Sequence, residues 1–238
     1  MKIESLKFEG VTFGYEGQDP LFDLVDFNFP MNKIIWVQAA SSGEGKSSLL
    51  QLMAGLQTPW RGQYLINDQN VVDMSFEEFL PFRMAIGYGF DYGGLIHNRT
   101  LLENVILPLQ YHKLCSDKEA IERGKHWFQV LGVSKYQDLK PAMAPGRVKK
   151  MTCLLRAVVT EPQVLVLDDP SVGLEQETIL KYFDEIGKHR SEGRIQSVFL
   201  SSYDEKFMKC LDHQSIFLDS GQIYDCTPEG VQKNAVSL

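Results

Sequence analysis

The run Ala40-Ser41-Ser42-Gly43-Glu44-Gly45-Lys46-Ser47-Ser48 holds the chemistry that the rest of the chain must position. Gly43 and Gly45 free the backbone for angles that side chains would block, so successive N–H groups can close on phosphate oxygens. Lys46 supplies a compact positive charge for the β- and γ-phosphates. Ser47 offers a hydroxyl to Mg²⁺. A helix opening here would add free N–H donors and the positive end of its dipole, and Ser42, Glu44 and Ser48 belong to the same expected nucleotide-binding run. The pattern G-x-x-x-x-G-K-[ST] is broken once, at Ala40, which costs ~1 kcal/mol if that backbone needs positive φ. The flanks agree with a phosphate-binding P-loop. Ile34-Ile35-Trp36-Val37 reads as a buried strand, and Leu49, Leu52, Met53 and Leu56 fall on one face of a helix. Strand, glycine-rich loop and helix together outweigh an ordinary glycine-rich turn.

Further chemistry stands at the end of "VLVLDD" (164–169), a continuous apolar run that closes on Asp168 and Asp169. It reads as a buried parallel strand with its carboxylates at the ligand edge of a sheet. Other elements surround these two. Residues 2–29 alternate in short runs and read as antiparallel strands, with Tyr15 ending "VTFGY"; "GQYLINDQNV" (62–71) reads as a hairpin. Ser75 with Glu77 and Glu78 marks a helix start, and "MAIGYGF" (84–90) returns to strand. From Asp91 to about Thr160 the pattern is mostly helical, with Ser116 and Glu119 resembling a capping box. "ETILKYFDEIGKHR" and "EKFMKCL" read as helices, "SVFLSS" (197–202) as a buried strand, and "SIFLDSGQIYDC" as a last hairpin. Strands alternating with helices give an α/β core, and the helical middle looks inserted within it.

Composition narrows the function classes. The chain has 238 residues, 44% hydrophobic, with a net charge of −7. That balance argues against nucleic-acid binding by bulk charge; Lys and Arg are scattered apart from Arg147, Lys149 and Lys150. Cys115, Cys153, Cys210 and Cys226 lack C-x-x-C spacing, so they read as small buried hydrophobes in a reduced compartment rather than zinc ligands or disulfides. No apolar h-region opens the chain and no run of about 18 apolar residues occurs. The expectation is a cytoplasmic protein.

These stretches, in this order, resemble the nucleotide-binding subunit of ABC transporters from about residue 3 to residue 230. "VTFGY" looks like the aromatic loop, with Tyr15 stacking on adenine. "AASSGEGKSSLLQLMAGLQTPWRGQYLIND" is similar to Walker A and the helix and hairpin after it. "IGYGFDYGGLIHNRTLLENVILPL" looks like the Q-loop and the start of the helical subdomain. "VLVLDDPSVGLE" is similar to Walker B and the D-loop, and "FLDSGQIYDCTPEG" to the closing hairpin. The resemblance implies an α/β P-loop NTPase (RecA-like) core with an antiparallel β subdomain, residues 1–90 and 161–238, and an inserted α-helical subdomain, residues 91–160. It further implies ATP and Mg²⁺ as ligands, two subunits (homodimer or heterodimer) sandwiching two ATP molecules, and transmembrane permease partners coupled through the Q-loop. The chain would then sit on the inner face of the membrane. "GGLIHNRTLLENVILPL" (93–109) resembles the corresponding segment of Mla/Mce-type lipid transport ATPases, and somewhat less that of lipoprotein-release and MacB-like systems, which points to a lipid or hydrophobic cargo.

The chain departs from the family at several positions. Asp91 stands at the Q-loop glutamine; it is shorter, charged and acceptor-only, though still able to ligate Mg²⁺. The signature Leu-Ser-Gly-Gly-Gln aligns with Ala144-Pro145-Gly146-Arg147-Val148. The serine hydroxyl and its N–H are lost at Pro145, and Arg147 fills space near the nucleotide, while proline still suits a helix start. Asp168 is kept for Mg²⁺. The general-base glutamate is Asp169, whose carboxylate is withdrawn by ~1.5 Å. The D-loop aspartate is Glu175. The switch histidine falls at Ser202, or at Tyr203 with one deletion, and His189 and His213 read as surface residues. Binding groups are kept and hydrolytic groups altered. Two functions are then open: a transport ATPase subunit with weak turnover based on Asp169 and Lys46, or a non-hydrolysing regulatory subunit that signals by nucleotide occupancy.

Overall fold

The alternating start of the chain folds as an antiparallel pair, β1 (Leu6–Phe13) against β2 (Phe22–Asn28). The computed structural model describes residues 2–91, 93–227 and 230–232. After β2 come β3 (Ile34–Ala39), α1 (Lys46–Met53), β4 (Arg61–Ile66), β5 (Gln69–Asn70), α2 (Phe76–Ala85) and β6 (Ile86–Gly89). Three helices come next: α3 (Leu101–Tyr111), α4 (Asp117–Val130) and α5 (Gly146–Val158). The chain then returns to the sheet through β7 (Val164–Leu167), α6 (Gln176–Ser191), β8 (Ser197–Ser201) and α7 (Glu205–Met208). It closes with β9 (Gln214–Asp219), β10 (Gln222–Thr227) and β11 (Gly230–Gln232).

Two sheets result. One is antiparallel, in the order β2-β1-β4-β5; the other runs β11-β10-β9-β3-β8-β7-β6. In the second, β9, β3, β8, β7 and β6 are parallel neighbours, and β10 and β11 extend it antiparallel. The apolar run of β7 is buried along its whole length. Leu165 and Leu167 face a core shared with α3 to α6, and Val164 and Val166 face a core shared with α1 and the antiparallel sheet. This two-sided burial is why the run reads as continuous rather than alternating. The parallel arrangement brings the C-terminal ends of β3 and β7 together with the N-terminus of α1, which is where the chemistry lies.

Helix starts are chemically marked. Ser75 with Glu78, and Thr100 with Glu103, form complete capping boxes. At Ser116 only half the expected box forms: the hydroxyl accepts from Glu119 N–H, but the Glu119 carboxylate is taken by Arg123. Asn104 is fully buried and binds both N–H and C=O of Ile96, which pins the loop before α3.

Several expectations are corrected. The helix after the P-loop stops at Met53, so Leu56 is not on its face. Gly55 takes φ 64°, Gly55 N–H donates to Leu52 and Leu56 N–H to Gln51, the pairing by which a left-handed residue ends a helix. Of the cysteines, Cys153 is buried, Cys115 half-buried and Cys210 exposed; the Cys226 side chain lies outside the described residues. His213 is half-buried, its ring edge-on to Trp36. His189 is buried, stacked on Trp127 at 5.4 Å between ring centroids, with Nδ1 3.3 Å from Glu161. It falls three and seven residues after Ile186 and Tyr182, on the buried face of α6.

Burial and the Arg194 charge hold the His189 pKa below its ordinary 6.5. The unfolded chain therefore takes up the proton first, and stability falls as pH drops through 6.5 toward the folded-state value. Melting curves between about pH 7.5 and about pH 5 should show a smaller acid loss of Tm for His189→Phe than for the unmodified chain. Equal losses would place the acid sensitivity elsewhere.

Candidate nucleotide-binding site

The P-loop joins β3 to α1. Gly43 and Gly45 take φ 97° and 94°, as the sequence demanded of them. Gly45 has a second constraint: a Cβ there would lie 2.7 Å from Leu21 Cδ2 and 2.9 Å from Phe22 Cζ. Ala40 does not take positive φ, so the missing first glycine costs nothing in backbone strain; its N–H donates to Leu218 O. No side chain caps α1 and no acid occupies its first turn, which keeps its N-terminal donors for an anion.

Around this loop lies a cleft of about 290 Å³, lined among others by Tyr15, Glu44, Lys46, Ser47, Asp169 and Tyr203. Gly43, Gly45 and Ser48 also line it, while Ser42 is exposed and does not. Tyr15 is 42% exposed; its hydroxyl is 2.9 Å from Ser48 Oγ and its ring meets Phe13 edge-on, so one end of the ring is fixed. Glu44 accepts from Ser41 Oγ. Lys46 Nζ sits 3.6 Å from the centroid of the Tyr203 ring.

The carboxylates at the end of β7 differ in environment. Asp168 is buried, and its Oδ1 accepts from Ser47 Oγ at 3.0 Å and from Ser201 Oγ at 2.8 Å. Asp169 is also buried and takes φ 42°, a strained angle for an aspartate. Its N–H donates to Ser201 Oγ, and its Oδ1 is buried with no hydrogen-bond partner. Burial first, then the charges of Asp168 and Asp91, push the Asp169 pKa up. Ser47 and Asp168 give the hard oxygen donors that suit Mg²⁺. Among the described residues no cluster of three His, Cys, Asp or Glu could hold a metal. One carboxylate and one hydroxyl suffice for an ion that takes its other ligands from phosphate and water. The residues present therefore fit Mg²⁺.

Five further expected site residues stand outside the cleft. Asp91 does not line the cleft; its carboxylate pairs with Lys150 Nζ at 3.1 Å, because an ammonium is within reach and the metal-binding hydroxyl is not among its partners. Ser202 is buried and bonds Ser171 Oγ and the Asp204 N–H, so it caps the turn after β8 while Tyr203 faces the cleft. Pro145, Gly146 and Arg147 are exposed at the start of α5 and do not line the cleft. Arg147 reaches Glu175 at 3.3 Å, so the altered signature and D-loop positions touch each other. Ser201 and Lys150 are site-linked residues that the motif reading passed over.

The ABC transporter family model matches residues 23–172, from β2 past the Asp168–Asp169 turn. The chain belongs to the ABC transporter family. Among curated proteins it is 27% identical to the methionine import ATP-binding protein MetN 2 of Lactiplantibacillus plantarum, over 79% of this chain and 54% of that protein. It is 26% identical to a methionine import ATP-binding protein MetN of Bradyrhizobium diazoefficiens, over 92% of this chain and 64% of that protein. The chain thus spans little more than half the length of these relatives. A dimeric post-hydrolysis structure of the ATP-binding cassette MJ0796, bound to ADP and Pi, superposes with TM-score 0.82 at 23% identity, covering 96% of this chain and 98% of that one. This likeness establishes the ABC ATPase fold: an α/β P-loop NTPase architecture with antiparallel and parallel sheets.

Proposed function

We propose that this ABC-family chain is the ATP-binding subunit of a membrane transporter, binding MgATP in the P-loop cleft and hydrolysing it slowly. The observation that carries the reading is the meeting of Gly43, Gly45, Lys46 and Ser47 in one cleft, with the buried Asp168 hydrogen-bonded to the Ser47 hydroxyl. Phosphates lie on the N-terminus of α1 and the loop N–H groups. Lys46 leaves the Tyr203 ring to pair with the β- and γ-phosphates. Ser47 and Asp168 would hold Mg²⁺, which would supply neutralisation of phosphate charge when bound. Asp169 orients the attacking water and accepts its proton, from a position short of the ideal reach. A second chain would supply its own 144–148 segment across the ATP. No helix among the described residues is long and apolar enough to cross a membrane, and attachment is through partner subunits on the inner face. Next to Phe90 lies an apolar groove of about 480 Å³ lined by Phe76, Leu80, Tyr111 and Leu114 and flanked by Arg83 and Arg156. It suits an apolar segment of such a partner. The resemblance to lipid transport ATPases and the similarity to methionine importers point to different cargoes, and cargo choice belongs to the membrane subunits.

A non-hydrolysing regulatory role has its own support: Pro145 and Arg147 in the signature position, and the retracted, strained Asp169. Turnover separates the two readings. Adenine recognition is testable apart from either. Tyr15→Ala should weaken ATP by roughly 1–3 kcal/mol, or about 5- to 150-fold in Kd, and leave tripolyphosphate affinity unchanged. Equal ATP affinity for variant and unmodified chain would leave Tyr15 as an ordinary strand-end residue.

A further inference from the structure

Lys150 is the only lysine or arginine among the described residues that is buried, at 8% exposed. It rises from the second turn of α5, and its ammonium is within 2.9 Å of Asp91 O, 3.1 Å of Asp91 Oδ1, 3.3 Å of Asp168 O and 3.5 Å of Phe90 O. Phe90 and Asp91 leave the end of β6, and Asp168 leaves the end of β7. An ammonium has three donors and no acceptor, so one side chain spends its whole bonding capacity on joining three segments. A buried charge is held only where such partners are complete.

We propose that Lys150 is the positioning residue that sets the Asp168–Asp169 turn against α5 and residue 91. The inference rests on the ATPase reading above. The Asp169 carboxylate has an unpartnered buried oxygen, so its place is set by its backbone. That backbone is strained at φ 42° and is held by Ser201 on one side and, through the Asp168 carbonyl, by Lys150 on the other. The exposed Pro145–Arg147 segment opens α5, one turn before Lys150. Movement of α5 by a molecule touching that segment, or of residue 91 by a partner, therefore reaches Asp169 through the Lys150 ammonium, beside the backbone bond from Asp168 N–H to Gly89 O.

The test uses the full chain with Lys150→Met, which keeps the apolar stem and removes the donors, and Lys150→Arg, which restores them. Lys150→Gln, which keeps an amide donor, stands in if the methionine variant does not fold. In nucleotide-free protein, amide exchange at residues 90–91 and 168–169 should rise about tenfold or more in Lys150→Met, with the P-loop and α1 unchanged. ATP hydrolysis should lose about tenfold or more in kcat with KM within about twofold, and arginine should recover part of both. Unchanged exchange at Asp169 overturns the proposal, as does faster exchange with unchanged kcat. If the unmodified chain binds ATP without hydrolysing it, the ATPase reading fails, while the exchange measurement still decides whether Lys150 fixes the turn.

Discussion

Lys46→Ala is expected to weaken ATP binding by about 100-fold, close to 3 kcal/mol, while leaving the melting temperature nearly unchanged. The magnitude comes from the loss of a charge-assisted contact to phosphate in a cleft with few other cations. The small effect on stability comes from where the ammonium rests: over the exposed Tyr203 ring, with no salt bridge of its own among the described residues. A cation over an exposed ring contributes on the order of 0.5–1 kcal/mol, far less than a phosphate contact. Isothermal titration with MgATP checks this directly. Affinity within a few-fold of the unmodified chain would remove the P-loop assignment.

Asp169→Glu is expected to raise kcat by about tenfold or more, because one methylene extends the carboxylate by ~1.5 Å toward the water, and about 1 Å of misplacement costs on the order of 10²-fold. Asp169 is buried yet lines the cleft, so the added methylene has the cleft side to extend toward. Its backbone N–H remains on Ser201 Oγ in the variant. The raised pKa of Asp169, caused by burial and by Asp168 and Asp91, adds a pH signature. The base works only when ionised, so turnover should climb as pH rises through that raised value. Asp169→Asn should abolish turnover and leave ATP affinity intact. Absence of a gain for the glutamate variant would move the limit to the altered 144–148 segment or to the turn at Ser202–Tyr203.

The P-loop, the Asp168–Asp169 turn and the α/β fold were legible because each has a strong local signature. Gly-x-Gly-Lys-Ser needs positive φ and a helix start, and β7 needs an unbroken apolar run. What stayed hidden depends on contacts far apart in sequence. Lys150 looks like one of three surface cations with Arg147 and Lys149, yet only Arg147 is freely exposed. The available signal was periodicity: Lys150 lies three and four residues before the buried Cys153 and Leu154, on the inward face of α5. His189 was missed in the same way, on the face of Tyr182 and Ile186. The choice between Ser202 and Tyr203 turned on one residue of loop geometry. Ser202 is drawn inward by Ser171 and Trp36, which leaves Tyr203 at the cleft. The motif position of Asp91 predicts a metal ligand, and no sequence pattern reports that an ammonium 59 residues later claims its carboxylate.

The central claim is tested most directly by measuring MgATP binding and steady-state ATP hydrolysis on the purified chain, alone and with its membrane partners. The account predicts saturable binding that Lys46→Ala weakens about 100-fold, with slow turnover that Asp169→Asn abolishes. An absence of nucleotide binding, or turnover unaffected by Asp169→Asn, would contradict it.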